Sequence, residues 1–209
     1  MRTIIFSWEY PPRVVGQLAD FAKLLASSLV KEGMETCVVT YHDYLTGGHD
    51  DPDGVKVIRV TNPVRTHIGV LTWVLTLNQE VERAAANSYY SNDRNVDIVN
   101  AIDWHFIPAA VTLKKGLDIP FVYVVESLED HRSHGANSPF NMAIRSIEWL
   151  GMFESKRLIV KSSWMKDEII RIYKVPAEKI KVILPDSKNL ISDFLETYKD
   201  ILGGIATIG

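Results

Sequence analysis

Residues 3–12 read Thr3-Ile4-Ile5-Phe6-Ser7-Trp8-Glu9-Tyr10-Pro11-Pro12, and they lead through Gly16 into an amphipathic run over Leu18–Lys31. The apolar block at 3–7 is continuous and largely β-branched, not alternating. Both of its faces are therefore expected to be covered, as in a strand of a parallel sheet. The prolines stop the strand, and Gly33 closes the helical run that follows. Strand, loop and helix in this order form the opening unit of a doubly wound sheet, whose ligands sit beyond the carboxyl ends of the strands.

The same alternation continues along the chain. Further strands are expected at Thr36–Tyr41, Val55–Val60, Ile98–Ala101, Phe121–Val125, Arg157–Lys161 and Lys181–Leu184. Helices are expected at Leu71–Tyr90, His105–Lys115, Pro139–Glu154 and Ser163–Tyr173, the last capped by Ser162 or Ser163. The reading is α/β: a mostly parallel, doubly wound, Rossmann-like three-layer α/β/α domain. The polar stretch Thr46–Gly54 carries several acids but lacks calcium-loop spacing, so it reads as an exposed turn.

Composition narrows the function. The chain has 209 residues and a net charge of −3, with no basic cluster, which argues against a nucleic-acid partner. No apolar run reaches the ~18 residues that span a bilayer, so no membrane partner is expected. The N-terminus lacks a signal-peptide pattern, and a cytoplasmic location is expected by default. The single cysteine, Cys37, lies in an apolar strand and reads as a core residue.

Three strand ends deliver polar chemistry to one edge. The first supplies Ser7, Trp8, Glu9, Tyr10, Arg13 and Gly16: aromatics, a carboxylate and a guanidinium that suit a sugar. Gly16 precedes a helix, so its loop is either a phosphate cradle or a plain turn. The strand at 98–101 supplies Asn100, Asp103, Trp104 and His105, and the one at 121–125 supplies Glu126, Ser127 and the run Glu129–Gly135. His131 and His134 would share a metal only on a helix, and Gly135 argues against one, so no metal site is expected. Glu148 lies among apolar neighbours on a helix, where a solvated face is the ordinary explanation for a carboxylate. No Walker loop, nucleophile elbow or paired cysteines are present.

Taken together, WEYPPRVVGQLADF, the IDW at Ile102–Trp104, PFVYVVESLED at 120–130, IRSIEWLGMFESKRLIVKSSWMKDEI at 144–169 and YKVPAEKIKVI at 173–183 resemble the N-terminal domain of glycogen and starch synthases and related retaining glycosyltransferases. The resemblance implies the GT-B arrangement of two Rossmann-like domains. It also implies glucosyl transfer from ADP- or UDP-glucose to an α-1,4-glucan in the cleft between them, with a nucleotide sugar as substrate and no metal or other cofactor. It points to Glu126 and Asp103 as catalytic positions and to Glu9, Tyr10, Arg13, Gly16, Gln17, Trp104 and Arg132 as substrate-binding ones. Trp8, Tyr10 and Trp104 would stack on sugar faces, with core packing the commoner fate of such rings.

Three positions depart from the family pattern. Gln17 replaces the second glycine of a pair, at a cost of ~1–2 kcal/mol if that position needs positive φ. Ile102 stands where His or Asn is usual. Glu126 stands where many members place a histidine, and a bare carboxylate there would repel donor phosphates by ~1–4 kcal/mol at contact.

The resemblance covers residues 1 to about 185, giving a domain over 1–185 and a separate tail over 186–209. The tail's Leu190, Ile191, Phe194, Leu195, Tyr198, Ile201 and Leu202 fall on one helical face, with Gly203-Gly204 expected to stop the helix. It looks like the family's last helix, which crosses back from the second domain to pack on the first. Two functions follow. One is a transferase domain inactive without a partner chain that supplies the nucleotide-holding half. The other is a non-catalytic glucan-binding or regulatory relative, possibly a homodimer.

Overall fold

A computed structural model of the chain describes residues 1–206 apart from positions 67, 92 and 94 and the side chains of positions 205 and 206. The strands are β1 (Arg2–Ser7), β2 (Glu35–Tyr41), β3 (Gly47–Asp50), β4 (Lys56–Val60), β5 (Ile98–Ile102), β6 (Phe121–Val125), β7 (Arg157–Val160) and β8 (Ile180–Val182). They form one sheet in the order β3-β4-β2-β1-β5-β6-β7-β8, parallel throughout except for the antiparallel edge strand β3. The α-helices are α1 (Gln17–Lys31), α2 (Val70–Ser91), α3 (Ile107–Leu117), α4 (Glu129–Arg132), α5 (Pro139–Glu154), α6 (Ser163–Tyr173) and α7 (Leu190–Ala206). This is the doubly wound α/β/α sandwich that the strand-helix alternation predicts.

The continuous apolar strands explain the two-faced core. In β1, Ile4 and Phe6 pack into the core shared with α2, α3 and α5, while Ile5 packs into the opposite core with α1 and α7. In β2, Cys37 and Val39 take the first face and Val38 the second. Cys37 is a buried core residue, and burial pushes its thiol up to about 11.

On the second face, Leu190, Phe194, Tyr198 and Ile201 of α7 are buried. Phe194 meets Phe21 of α1 with ring centroids 6.5 Å apart. Each such ring removed from water contributes about 1.5–3 kcal/mol. Lys181 pairs with Glu196 at 2.5 Å, tying β8 to the helix. The helix runs through Gly203-Gly204 to Ala206, so those glycines do not end it.

Three local expectations are corrected. The stretch read as an exposed turn contains β3, paired residue for residue with β4. All four of its residues are exposed, as expected, and two of the four are glycines, so it carries no alternating apolar pattern to read. Residues 129–132 do form a short helix, which ends with His134 and Gly135 at positive φ. Glu148 is fully buried, not solvated. Among the described residues, no helix is long and apolar enough to cross a membrane.

Candidate functional site

The chain winds outward from β1 through β2 to β4, then returns to place β5 on the other side of β1. That reversal opens a crevice at the carboxyl ends of β1 and β5, where ligands of doubly wound sheets bind.

The β1 side is organised by Glu9. Its buried carboxylate accepts the backbone N–H groups of Val15 and of Gly16, the latter at 2.8 Å. Gly16 is the N-cap of α1 and has no side chain to cap with, so Glu9 fills that role from the preceding loop. Gly16 is extended and Gln17 begins the helix without positive φ, so the strain expected at Gln17 is absent. Gln17 is exposed at the helix start. Glu9 thus takes the Val15 and Gly16 N–H groups, just ahead of the helix whose first-turn N–H groups the sequence offered to a phosphate.

At the end of β5, Asp103 adopts φ 61° and ψ 179°, a region that costs a non-glycine residue about 1–3 kcal/mol. Its N–H donates to Val124 O at 2.9 Å, which fixes the turn. The residue is 4% exposed. Oδ2 accepts from Ser127 Oγ at 3.5 Å, and Oδ1 is buried without a protein partner. Burial pushes the Asp103 pKa up to about 7; Arg132 opposes this, while Glu126 and Glu148 add to it. Here a strained backbone and an underbonded carboxyl group coincide, as they do at functional sites.

His105 lies 3.7 Å from Asp103 but forms no ion pair with it. Burial, with Arg132 and Arg13 nearby, takes its pKa down to about 3, so the ring is neutral. That ring stacks on Trp104 at 4.5 Å and on Trp8 at 4.8 Å. The Arg13 guanidinium lies 4.7 Å from the Trp8 ring and 4.8 Å from the Tyr41 ring. A run of ring and cation contacts thus extends along the sheet edge from β5 across β1 to β2. Asn78 of α2 supports it from beneath by donating to His105 O and accepting from Ala109 N, each at 2.9 Å.

The β6 side carries two charge clusters. Glu126 pairs with Lys161 at 2.6 Å, so it is not the bare repulsive carboxylate that its place in the sequence suggested. Burial still lifts its pKa, with Lys161 pulling the other way. Arg132 donates to Glu148 at 2.7 Å and to Ser127 at 2.5 Å, and pairs with Glu129 at 3.0 Å. Glu148 also accepts Glu129 N at 2.8 Å and the Tyr173 hydroxyl. The buried carboxylate on α5 thereby fixes α4, which carries Arg132.

Of the sequence-predicted positions, Asp103, Trp104, Glu126 and Arg132 gather around the β5 and β6 ends, while Glu9, Arg13, Gly16 and Gln17 build the β1 side. Tyr10 does not reach the crevice: it is fully buried, and its hydroxyl donates to Asp51 at 3.1 Å. Trp104 is buried beneath the edge, so it offers little ring surface to a sugar. Lys161 and Asn78 were missed because each stands alone in its motif: the pairing of β6 with β7 brings in Lys161, and the packing of α2 brings in Asn78. His131 Nε2 donates to Glu168 at 2.8 Å, and its ring stacks on Trp164. Among the described residues, no group of three or more His, Cys, Asp and Glu side chains converges as a metal site.

Residues 19–185 match the sequence profile of Glycosyltransferase Family 4. The chain belongs to that family. It is 35% identical over 185 residues to an uncharacterised glycosyltransferase of Methanocaldococcus jannaschii, covering 88% of this chain and 45% of the relative. It is 29% identical over 197 residues to the glycogen synthase of Mycobacterium tuberculosis, covering 88% and 47% respectively. The chain therefore spans about half the length of the curated relatives it matches. A solved structure of sucrose-phosphate synthase from Thermosynechococcus elongatus, designated 27_220_406_426, superposes with a TM-score of 0.69 at 12% identity. That match covers 98% of this chain and 99% of the solved one, and it places the family member in the Rossmann-like GT-B fold.

Proposed function

We propose that this domain forms the acceptor-side wall of a cleft in which a glucosyl group passes from ADP- or UDP-glucose to an α-1,4-glucan. The observation that supports this most is Asp103. A strained, buried carboxyl group with an unbonded oxygen stands at the strand-order reversal of a family 4 glycosyltransferase. In this reading Asp103 Oδ1 accepts a sugar hydroxyl. Ser127 and the backbone bond to Val124 hold Asp103 in place, and the Glu126–Lys161 pair borders the transferred sugar. Residues 186–206 take the place of the family's crossover helix, a reading supported by the packing of α7 on the core and by a superposition on the sucrose-phosphate synthase structure that covers 98% of this chain.

The main catalytic term in such chemistry is electrostatic stabilisation of the departing diphosphate. At the helix N-terminus nearest the crevice, Glu9 sets a carboxylate against the loop and holds the Val15 and Gly16 N–H groups, which disfavours a diphosphate there. We therefore propose that the chain alone holds glucan but does not turn over a donor, and that a partner chain supplies the diphosphate-gripping groups.

The same Glu9 contact favours a second reading, a non-catalytic glucan-binding relative that regulates a synthase or pairs with itself. Calorimetric titration of the purified chain with maltodextrin, ADP-glucose and UDP-glucose tests the acceptor-side assignment. Maltodextrin binding with little or no donor binding is expected. Donor binding without any glucan binding would refute it.

A further inference from the structure

A groove lies beside the crevice, past the residues that border Asp103. It lies between residues 42–46, which follow β2, and residues 61–65, which follow β4. Its cavity of about 540 Å³ is lined by Asp43, Tyr44, Thr46, Thr61, Arg65 and Trp73, among others. An adjoining hollow of about 380 Å³ shares Tyr41, Asp43 and Trp73 and reaches Trp8 and Arg13. The two connect the groove to the ring-and-cation run at the β1 end.

The groove is built from fixed parts. Trp73 is set edge-on against Tyr41 at 4.8 Å and against Trp8 at 6.0 Å. Asp43 accepts the Tyr41 hydroxyl at 2.9 Å and Arg13 Nε at 3.1 Å. Asn62 accepts Val64 N–H at 2.9 Å and donates to Trp73 O at 2.7 Å, which fastens the far bank. On the near bank, the N–H groups of Tyr44 and Leu45 both donate to His42 Nδ1, at 3.1 and 3.0 Å. The backbone at Tyr44 is thus held while its side chain lies 90% exposed on the groove. Core packing does not account for an aromatic ring presented this way. A flat ring over a bed of hydroxyls with one matched carboxylate–guanidinium pair suits a ligand with apolar C–H faces and many hydroxyls. The Arg13 charge is matched by Asp43 and covered by rings, and Arg65 lines the groove with N–H donors that can serve sugar hydroxyls.

We propose that this groove is an outer subsite for a neutral oligosaccharide chain, with Tyr44 as its stacking platform and Trp73 and Asp43 as its floor. The proposal deepens the glucan reading and rests on it: a chain whose end lies at Asp103 continues over Trp8 into the groove.

The test compares maltose with maltoheptaose by calorimetry and by indole and backbone NMR shifts, for the wild-type chain and for Tyr44→Ala. Maltoheptaose should bind more tightly than maltose, and shift perturbations should reach the Trp73 indole and residues 42–46. Tyr44→Ala should lower maltoheptaose affinity about three- to tenfold and leave maltose unchanged. Tyr44 is exposed, so an unchanged melting temperature will show that the variant folds. Equal binding of the two sugars, with no effect of Tyr44→Ala, would overturn the subsite and leave the glucan reading standing. Failure of both sugars to bind would overturn both. Displacement of maltoheptaose from residues 42–46 by inorganic phosphate would overturn the neutral-ligand assignment.

Discussion

The Tyr198 hydroxyl donates a 2.8 Å hydrogen bond to Asn100 Oδ1 inside the sheet, where both residues are fully buried. Asn100 in turn donates to Thr3 Oγ1 at 2.9 Å, and Thr3 donates to Ile98 O at 3.0 Å. The last helix is therefore locked to β5 and β1, the two strands whose ends flank the crevice. Tyr198→Phe strands the Asn100 oxygen and should cost about 1–3 kcal/mol in urea denaturation. Removal of residues 187–209 should also lower solubility and melting temperature. Unchanged values for both variants would show that α7 is not part of the core.

Asp103 makes stability fall as pH rises. In the folded chain it keeps its proton up to about pH 7, against 3.8 for the free side chain. Between these values the folded state binds more protons, so the stabilisation is complete below pH 3.8 and is lost as pH climbs through 7. Asp103→Asn should therefore gain about 2 kcal/mol at pH 8 and little at pH 4, flattening the pH profile of the unfolding free energy. A parallel profile for the two proteins would contradict the assignment.

Glu9 caps α1 from outside the helix. Glu9→Ala frees the Val15 and Gly16 N–H groups and should cost about 0.5–2 kcal/mol. Amide exchange at Val15 and Gly16 should accelerate relative to the rest of α1. Unchanged exchange there would place the cap elsewhere.

Gly151 and Gly116 should respond to alanine with opposite signs. A Cβ at Gly151 would lie 2.7 Å from Ile107 Cδ1, where α5 crosses α3, so Gly151→Ala should cost about 1–3 kcal/mol. Gly116 has open space around it, and Gly116→Ala should stabilise by about 0.5–1 kcal/mol. Thermal melts of the two variants decide the matter; a gain at Gly151 would mean that the helices are further apart.

Much of this fold is written in local pattern. The β-branched blocks at 3–7, 36–41 and 121–125 became buried strands because a two-faced core leaves no alternation to read. The Ser162 cap works as its position suggests, accepting Met165 N at 3.1 Å. What escaped was set by distance in space. Lys161 neutralises Glu126 only because β6 and β7 are neighbours. Tyr10 left the crevice because its hydroxyl found Asp51 beyond β3. Glu148 looked like a surface carboxylate until α4 and Tyr173 supplied its partners. β3 itself had no apolar signature, since it is two glycines and two polar residues, and its side-chain tie, His49 to Arg59, is set by the pairing with β4.

The most direct test is transfer of labelled glucose from ADP- or UDP-glucose to glycogen by the purified 209-residue chain. With the Glu9 carboxylate set against the start of α1, holding the Val15 and Gly16 N–H groups, the chain should retain glycogen yet transfer no label. Sustained incorporation of label with no second polypeptide present would contradict the account.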